Sequence, residues 1–378
     1  MVLRSFYGTI SCRWVIGGSA VLEFFRNLHP VFSAASAIIA VVGVAVSAYK
    51  FWKEYRIKKI LSGDEDELWH FRSPSPPKSH QRILNDIRTR IITVANLKGG
   101  VGKTTLSANL AAYFDRNLGK RVLVIDADYQ GSITGLLMGA AEIDEIRSHT
   151  ETLLADGVTA EDIRGSQVHL QGILPLTWLV PAFYSLSRQE NRHMVQWVMR
   201  GGSDVRYRLI EAFLKGGLLK LKQEDNGFDI VIIDAPPRLT MATVNAMCAS
   251  THLLVPTALT PISARAVGPF LKMAREIKLE LNQELKLAGV VATLTSPDGG
   301  LTVRERQIVD TTLADALREW KGAEGGYMFK RTIPRRASLS TASVDGLGYL
   351  AHEGNVQNPI KSILDEFGAE LVNRIGLP

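Results

Sequence analysis

The chain has 378 residues, 46% of them hydrophobic and 22% charged, with a formal net charge of +6 and two cysteines. That length holds one large α/β domain with an appendage, and that apolar content allows a sizeable core. Cys12 and Cys248 have no metal-ligand spacing and exclude a disulfide framework, while the mild positive excess permits contact with nucleic acid or anionic lipid and establishes neither.

Residues 1–30 form an amino-terminal segment in which Trp14 to Phe25 is apolar but short, interrupted by Gly17, Gly18 and Glu23. It suits an interfacial helix. Residues 31–49 (VFSAASAIIAVVGVAVSAY) carry no charge. As a helix they would span roughly 28 Å, close to the hydrocarbon core of a bilayer. Pro30 suits the first helical turn. Lys50, Lys53, Arg56, Lys58 and Lys59 follow, against Arg4, Arg13 and Arg26 before it. The pattern predicts a transmembrane helix with its carboxy-terminal side in the cytoplasm, and so a single-pass protein of the inner membrane.

Residues 50–88 read as a basic juxtamembrane helix and a linker. Ser73-Pro74-Ser75-Pro76-Pro77 is a stiff, extended spacer. Gln81 to Arg90 reads as a short helix leading into the next element.

From residue 89 the pattern alternates strand and helix. Ile91 to Ala95 is an apolar run of the kind that forms a buried strand, and Leu106, Leu110, Tyr113 and Phe114 fall at helical spacing. Between them lies Asn96-Leu97-Lys98-Gly99-Gly100-Val101-Gly102-Lys103-Thr104-Thr105. A strand, a glycine-rich loop and a helix N-terminus bind phosphate: the backbone N–H groups approach the anion and the helix dipole adds partial positive charge. Lys103 supplies a mobile cation and Thr104 a hydroxyl for Mg²⁺.

Further runs predict strands ending at Asp126 and Asp234, each delivering a carboxylate to a C-terminal sheet edge. Leu174 to Ala182 reads as a strand, and Phe183 to Arg192 opens a helical stretch containing Trp197 and Met199. This aromatic and charged insertion is a candidate partner surface. Helices follow at Met241 to Ser250, Ala264 to Leu281 and Thr302 to Trp320, and strands at His252 to Pro256, Leu287 to Thr293 and Tyr327 to Ile333. The last helix, Asn358 to Ile375, carries a stripe of Ile360, Ile363, Leu364, Phe367, Leu371 and Ile375 that suits docking on the core. The fold class is α/β, a mostly parallel sheet with helices on both faces, preceded by the transmembrane helix. Residues 89–378 form the nucleotide-binding domain.

The general phosphate-loop pattern has glycine where this chain has Leu97. The form K-G-G-V-G-K-T at residues 98–104 instead resembles the deviant Walker A motif of the ParA/MinD family of partition ATPases. Asp126-Ala127-Asp128-Tyr129-Gln130-Gly131 resembles the family's switch I, with Tyr129 in place of proline. Phe228 to Pro237 resembles Walker B and switch II. Ile333-Pro334-Arg335 resembles the segment near the adenine.

The resemblance implies an ATPase with ATP and Mg²⁺ as cofactors. Gly99, Gly100, Val101, Gly102, Lys103, Thr104 and Thr105 would cradle the phosphates, and Pro334 would lie near the base. Thr104, Asp126 and Asp234 would serve Mg²⁺. Asp128 would orient the attacking water. Lys98 would reach the partner's phosphates across an ATP-dependent homodimer, acting like an arginine finger.

Taken together, these features predict a membrane-anchored, ATP-dependent dimerisation switch that recruits or positions a partner or cargo, with slow hydrolysis and an activating protein still to be identified. One alternative is a DNA-binding partition ATPase contacting non-specific DNA through Lys272, Arg275, Lys278, Lys330, Arg331, Arg335 and Arg336. Another is a nucleotide-regulated membrane sensor or effector, such as a defence component.

Overall fold

The computed structural model describes residues 41–52, 73–77, 80–144, 148–200, 204–223, 225–296, 301–318, 320, 327–335, 347–350 and 359–377. The chain divides into two compact units, Met1–Leu68 and Trp69–Pro378.

In the first unit, residues 41–52 form a helix with exposed side chains. The expected span over residues 31–49, and with it the placement in the inner membrane, is corrected here. Among the described residues no helix is long and apolar enough to cross a membrane. Lys50 lies in the last turn of the described helix. The expectations for residues 1–40 and 53–72 lie outside the described residues.

The second unit is built on an eight-stranded sheet. Its helices and strands are α1 (His80–Asp86), β1 (Arg90–Val94), α2 (Lys103–Arg116), β2 (Val122–Asp126), α3 (Ser132–Ala141), α4 (Thr150–Leu153), α5 (Ala160–Gly165), β3 (Val168–His169), β4 (Thr177–Val180), α6 (Ser185–Arg200), α7 (Arg208–Gly216), β5 (Ile230–Asp234), α8 (Met241–Ala249), β6 (His252–Ala258), α9 (Pro261–Glu280), β7 (Lys286–Thr295), α10 (Val303–Ile308), α11 (Ala314–Arg318), β8 (Ile333–Pro334) and α12 (Pro359–Ile375). The strand order is β3-β4-β2-β5-β1-β6-β7-β8. Every pairing is parallel except that of β3 with β4.

The central strands are buried on both faces, so they show no alternation of polar and apolar residues. Successive side chains point to opposite faces and build separate cores. Ile91, Leu123, Val231 and Ile233 pack with α7, α8 and α9. Ile92, Val124, Ile230 and Ile232 pack with α2, α3 and α12. The α12 stripe is buried except for the half-buried Ile363, with Phe367 against Phe329 at 4.7 Å between ring centroids.

Some elements differ from expectation. The final strand is two residues long, with an isolated bridge at Met328 to Val290. The helix expected over residues 302–320 contains a π-helical segment at Val309–Leu313. The edge strand β3 was not anticipated; His169 stacks flat on Trp178 at 4.2 Å, which pairs it with β4. The proline-rich spacer is bonded to this unit: the Ser75 N–H donates to Asp204 Oδ2 at 3.0 Å, and Arg206 donates to the Ser73 carbonyl at 3.3 Å.

Candidate functional site

The strand order reverses around β1, and the site sits at that switch point, beyond the strands' C-terminal ends. β1 delivers the glycine-rich loop, which runs into α2. Gly100 and Gly102 have φ of 72° and 81°, a left-handed conformation that disfavours side chains with a Cβ. Gly102 is also the N-cap of α2, and the loop therefore turns directly into the helix N-terminus. Thr293 of β7 donates its hydroxyl to the Val101 carbonyl at 2.8 Å and pins the loop from outside.

Lys103 is 8% exposed. Its ammonium donates to the Lys98 carbonyl across the loop at 3.3 Å. Burial lowers its pKa, while Asp234 and Asp128 oppose that shift. Lys98 itself is exposed at the rim, its N–H donated to Asn96 Oδ1 at 3.0 Å.

Asp126 and Asp234 end β2 and β5 and are register partners. Thr104 donates its hydroxyl to Asp234 Oδ2 at 2.8 Å and Ser107 donates to Oδ1 at 3.0 Å. Asp126 accepts from the Thr134 hydroxyl at 2.6 Å, the Thr134 N–H at 3.1 Å and the Asp128 N–H at 3.0 Å. Burial, then repulsion from Asp234, pushes the Asp126 carboxyl up to about 8. Burial pushes Asp234 up to about 6 against the pull of its hydroxyl donors and Lys103. Two buried, adjacent carboxyls beside a threonine hydroxyl make a hard-oxygen set that a Mg²⁺ ion fits, because the ion's charge would offset both the desolvation and the repulsion.

Asp128 is half-buried at the mouth and accepts the Gln130 N–H at 3.0 Å. Tyr129, beside it, holds the Arg238 guanidinium over its ring at 5.1 Å. Next to the loop lies a pocket of about 320 Å³, lined by Gly102, Thr105, Leu106, Asn109, Leu294, Pro334 and Leu364 among others. It is the right size and character for a planar heterocycle.

The fold thus brings Gly99 to Thr105, Asp126, Asp128 and Asp234 to one cleft, with Pro334 in the adjoining pocket and Lys98 at its edge. Sequence reasoning missed Ser107, which repeats the hydroxyl of Thr104 one helical turn later, a spacing that could have been read. It also missed Thr134, which bonds Asp126 eight residues back, and Glu190 and Arg238, whose partners are distant in the chain. Among the basic residues read as DNA contacts, Lys278 is committed to the carbonyls of Gln283 and Leu285 at 2.5 and 2.7 Å, and Arg331 is paired with Glu366. Arg335 lines the pocket, Lys272 is exposed, and Arg336 lies outside the described residues.

A family model described as an AAA domain matches residues 89–287. The sporulation initiation inhibitor protein Soj of Bacillus subtilis is 30% identical over 257 residues, 68% of this chain and 88% of its own length. The chromosome-partitioning ATPase Soj of Thermus thermophilus is 31% identical over 265 residues, covering 70% and 89%. Cobyrinic acid a,c-diamide synthase of Mycobacterium smegmatis, solved with bound ADP and magnesium, has a TM-score of 0.50 at 28% identity, covering 70% of this chain and 95% of that one. The apo McdA of Cyanothece is similar in fold, with a TM-score of 0.57 at 19% identity over 75% of this chain and 99% of its own.

Proposed function

The chain belongs to the ParA/Soj family of P-loop ATPases, and from that premise we propose that it works as an ATP-dependent dimerisation switch that recruits or positions a partner or cargo. It is an ATPase, with ATP and Mg²⁺ as its cofactors.

The residues divide the work of phosphoryl transfer. Water attacks the γ-phosphorus, the bond to the β,γ-bridging oxygen breaks, and ADP and phosphate leave. Little covalent chemistry is asked of the protein beyond positioning and charge neutralisation. The N–H groups of residues 99–105 cradle the phosphates, and Lys103 leaves the Lys98 carbonyl to meet the β- and γ-phosphates. Thr104, Asp126 and Asp234 would hold Mg²⁺, directly or through water, and the metal would supply neutralising charge to the phosphate oxygens. Asp128 accepts a hydrogen bond from the attacking water and aligns it. Lys98 reaches the nucleotide of a second copy, closing an ATP-bridged dimer.

The observation that carries this reading is the division between the two loop lysines. Lys103 is buried against its own loop and serves its own site; Lys98 is exposed at the rim.

A second reading makes DNA the track on which the dimer acts. The similarity to chromosome-partitioning relatives supports it. The test is a titration of the full chain carrying Asp128→Ala against non-specific duplex DNA, with ATP and with ADP, over a salt series. ATP-dependent binding that weakens steeply with salt supports the DNA track. Salt-insensitive or absent binding by an ATP-bound dimer excludes it and leaves protein cargo.

A further inference from the structure

Glu190 is a buried carboxylate that none of the phosphate chemistry uses. It projects from α6, in the insertion between β4 and β5, and is 9% exposed. Its Oε1 accepts the N–H of Ala242, in the first turn of α8, at 2.6 Å. The Thr240 hydroxyl hydrogen-bonds the same carboxylate, and both Arg238 and Asp128 lie within its electrostatic reach. A short, buried hydrogen bond from a backbone N–H to a carboxylate is among the stronger and more directional contacts a side chain can make.

The location gives that contact its consequence. α8 begins where the loop after Asp234 ends, so the carboxylate grips the far end of switch II. From the first turn of α8, the Thr243 hydroxyl donates back into that loop, to the Arg238 carbonyl at 2.7 Å. Arg238 then reaches across to Tyr129, the neighbour of Asp128. Tyr184, one residue before α6, meets the other side of the contact, its ring edge-on to Tyr129 at 6.2 Å. α6 and the residue that leads into it therefore touch both switches, one through Glu190 and the other through Tyr184.

We propose that Glu190 is a positioning residue for ATP hydrolysis: from α6 it fixes the start of α8, and through Arg238 and Tyr129 it sets the segment that carries Asp128. This rests on the reading of Asp128 as the residue that aligns water. It also gives the insertion a task inside the enzyme. A protein seated on the outer face of α6 would act on hydrolysis by moving this one contact.

The test uses the full chain and separates nucleotide affinity from the single-turnover rate. Glu190→Ala should lower the rate at least tenfold while the ATP Kd changes less than threefold, because the phosphate loop is untouched. Glu190→Gln keeps a carbonyl oxygen for the Ala242 N–H and should retain the rate within threefold. Arg238→Ala, an exposed change, should slow hydrolysis several-fold, and the Glu190→Ala/Arg238→Ala double variant should be no slower than Glu190→Ala alone, since both act through one path. A wild-type rate in Glu190→Ala, an equal loss in Glu190→Gln, or independent multiplication of the two losses overturns the proposal. Should Glu190→Ala fail to fold, a wild-type rate in Arg238→Ala overturns it instead. Asp128→Ala is measured alongside. Normal hydrolysis there overturns the reading of Asp128, whereas the Glu190–Arg238 coupling is judged from the double variant alone.

Discussion

Asp126 and Asp234 face each other as register partners on adjacent parallel strands, each the last residue of its strand. The sheet pairing itself therefore brings two carboxyls together in a buried place, and loops are not needed to do it.

As the proposed Mg²⁺ ligands, this pair should make metal binding depend on pH. Burial and mutual repulsion raise Asp126 to about 8, and burial raises Asp234 to about 6. Between the ordinary carboxylate range and these values each keeps a proton that the unfolded chain would release, Asp126 still at neutral pH, so without metal their contribution to stability is present at acid pH and lost as pH rises through about 6 and about 8. Mg²⁺ binds the ionised forms and must displace the protons. Its affinity should therefore rise from pH 6 to pH 8.5, with proton release on binding, and the metal should flatten the alkaline loss of stability. Calorimetry in buffers of different ionisation enthalpy checks this; a pH-independent Mg²⁺ affinity without proton release contradicts it.

The two charged residues of the phosphate site separate binding from turnover. Lys103→Ala removes the cation for the phosphates and should weaken ATP binding by about a hundredfold or more. Asp128→Ala should leave binding within about threefold and slow hydrolysis by about a hundredfold or more, since it acts on the water alone. Equilibrium nucleotide binding and single-turnover hydrolysis give both numbers, and unimpaired turnover in Asp128→Ala removes its assigned role.

His252 should govern part of the acid sensitivity. Burial pushes its imidazole down to about 3, with Arg90 and Lys286 adding to the shift. The folded state thus binds fewer protons than the unfolded state between that value and the ordinary 6.5. Its stabilising contribution is complete above pH 6.5 and is lost as pH falls towards 3, at up to about 1.4 kcal/mol per pH unit. Denaturant titrations at pH 7 and pH 5 should show this slope in the wild type and a shallower one in His252→Gln. An equal slope in both contradicts the assignment.

Helix α12 is held as core. Phe367 is fully buried against Phe329, and Phe367→Ala should cost about 3–5 kcal/mol in equilibrium unfolding. Gly368→Ala should also destabilise, because a Cβ there would come 2.4 Å from the Tyr113 ring. A cost below about 1 kcal/mol for Phe367→Ala would mean that the helix is not docked as described.

The geometry of the candidate phosphate site was legible in the sequence because its parts are local: a strand, a loop and a helix start within the span from Ile91 to Leu118, and carboxylates end two β-branched runs. What escaped was long-range. Glu190 meets Ala242 fifty-two positions away, and nothing in its neighbours marks it as buried. Leu294 lines the pocket with φ of 57°, a conformation its residue type does not announce. Lys278 looks like a surface charge but caps two carbonyls. The uncharged run at residues 31–49 has the composition of a span, yet among the described residues no helix is long and apolar enough to cross a membrane.

On the proposed function, ATP joins two copies of this chain and hydrolysis parts them. The direct test is the solution mass of the full chain carrying Asp128→Ala, measured by light scattering with ATP and Mg²⁺ and again with ADP and Mg²⁺. A dimer is expected with ATP and a monomer with ADP, with loss of the dimer when Lys98→Ala is added. The same mass in both nucleotides, with ATP shown to be bound, would contradict it.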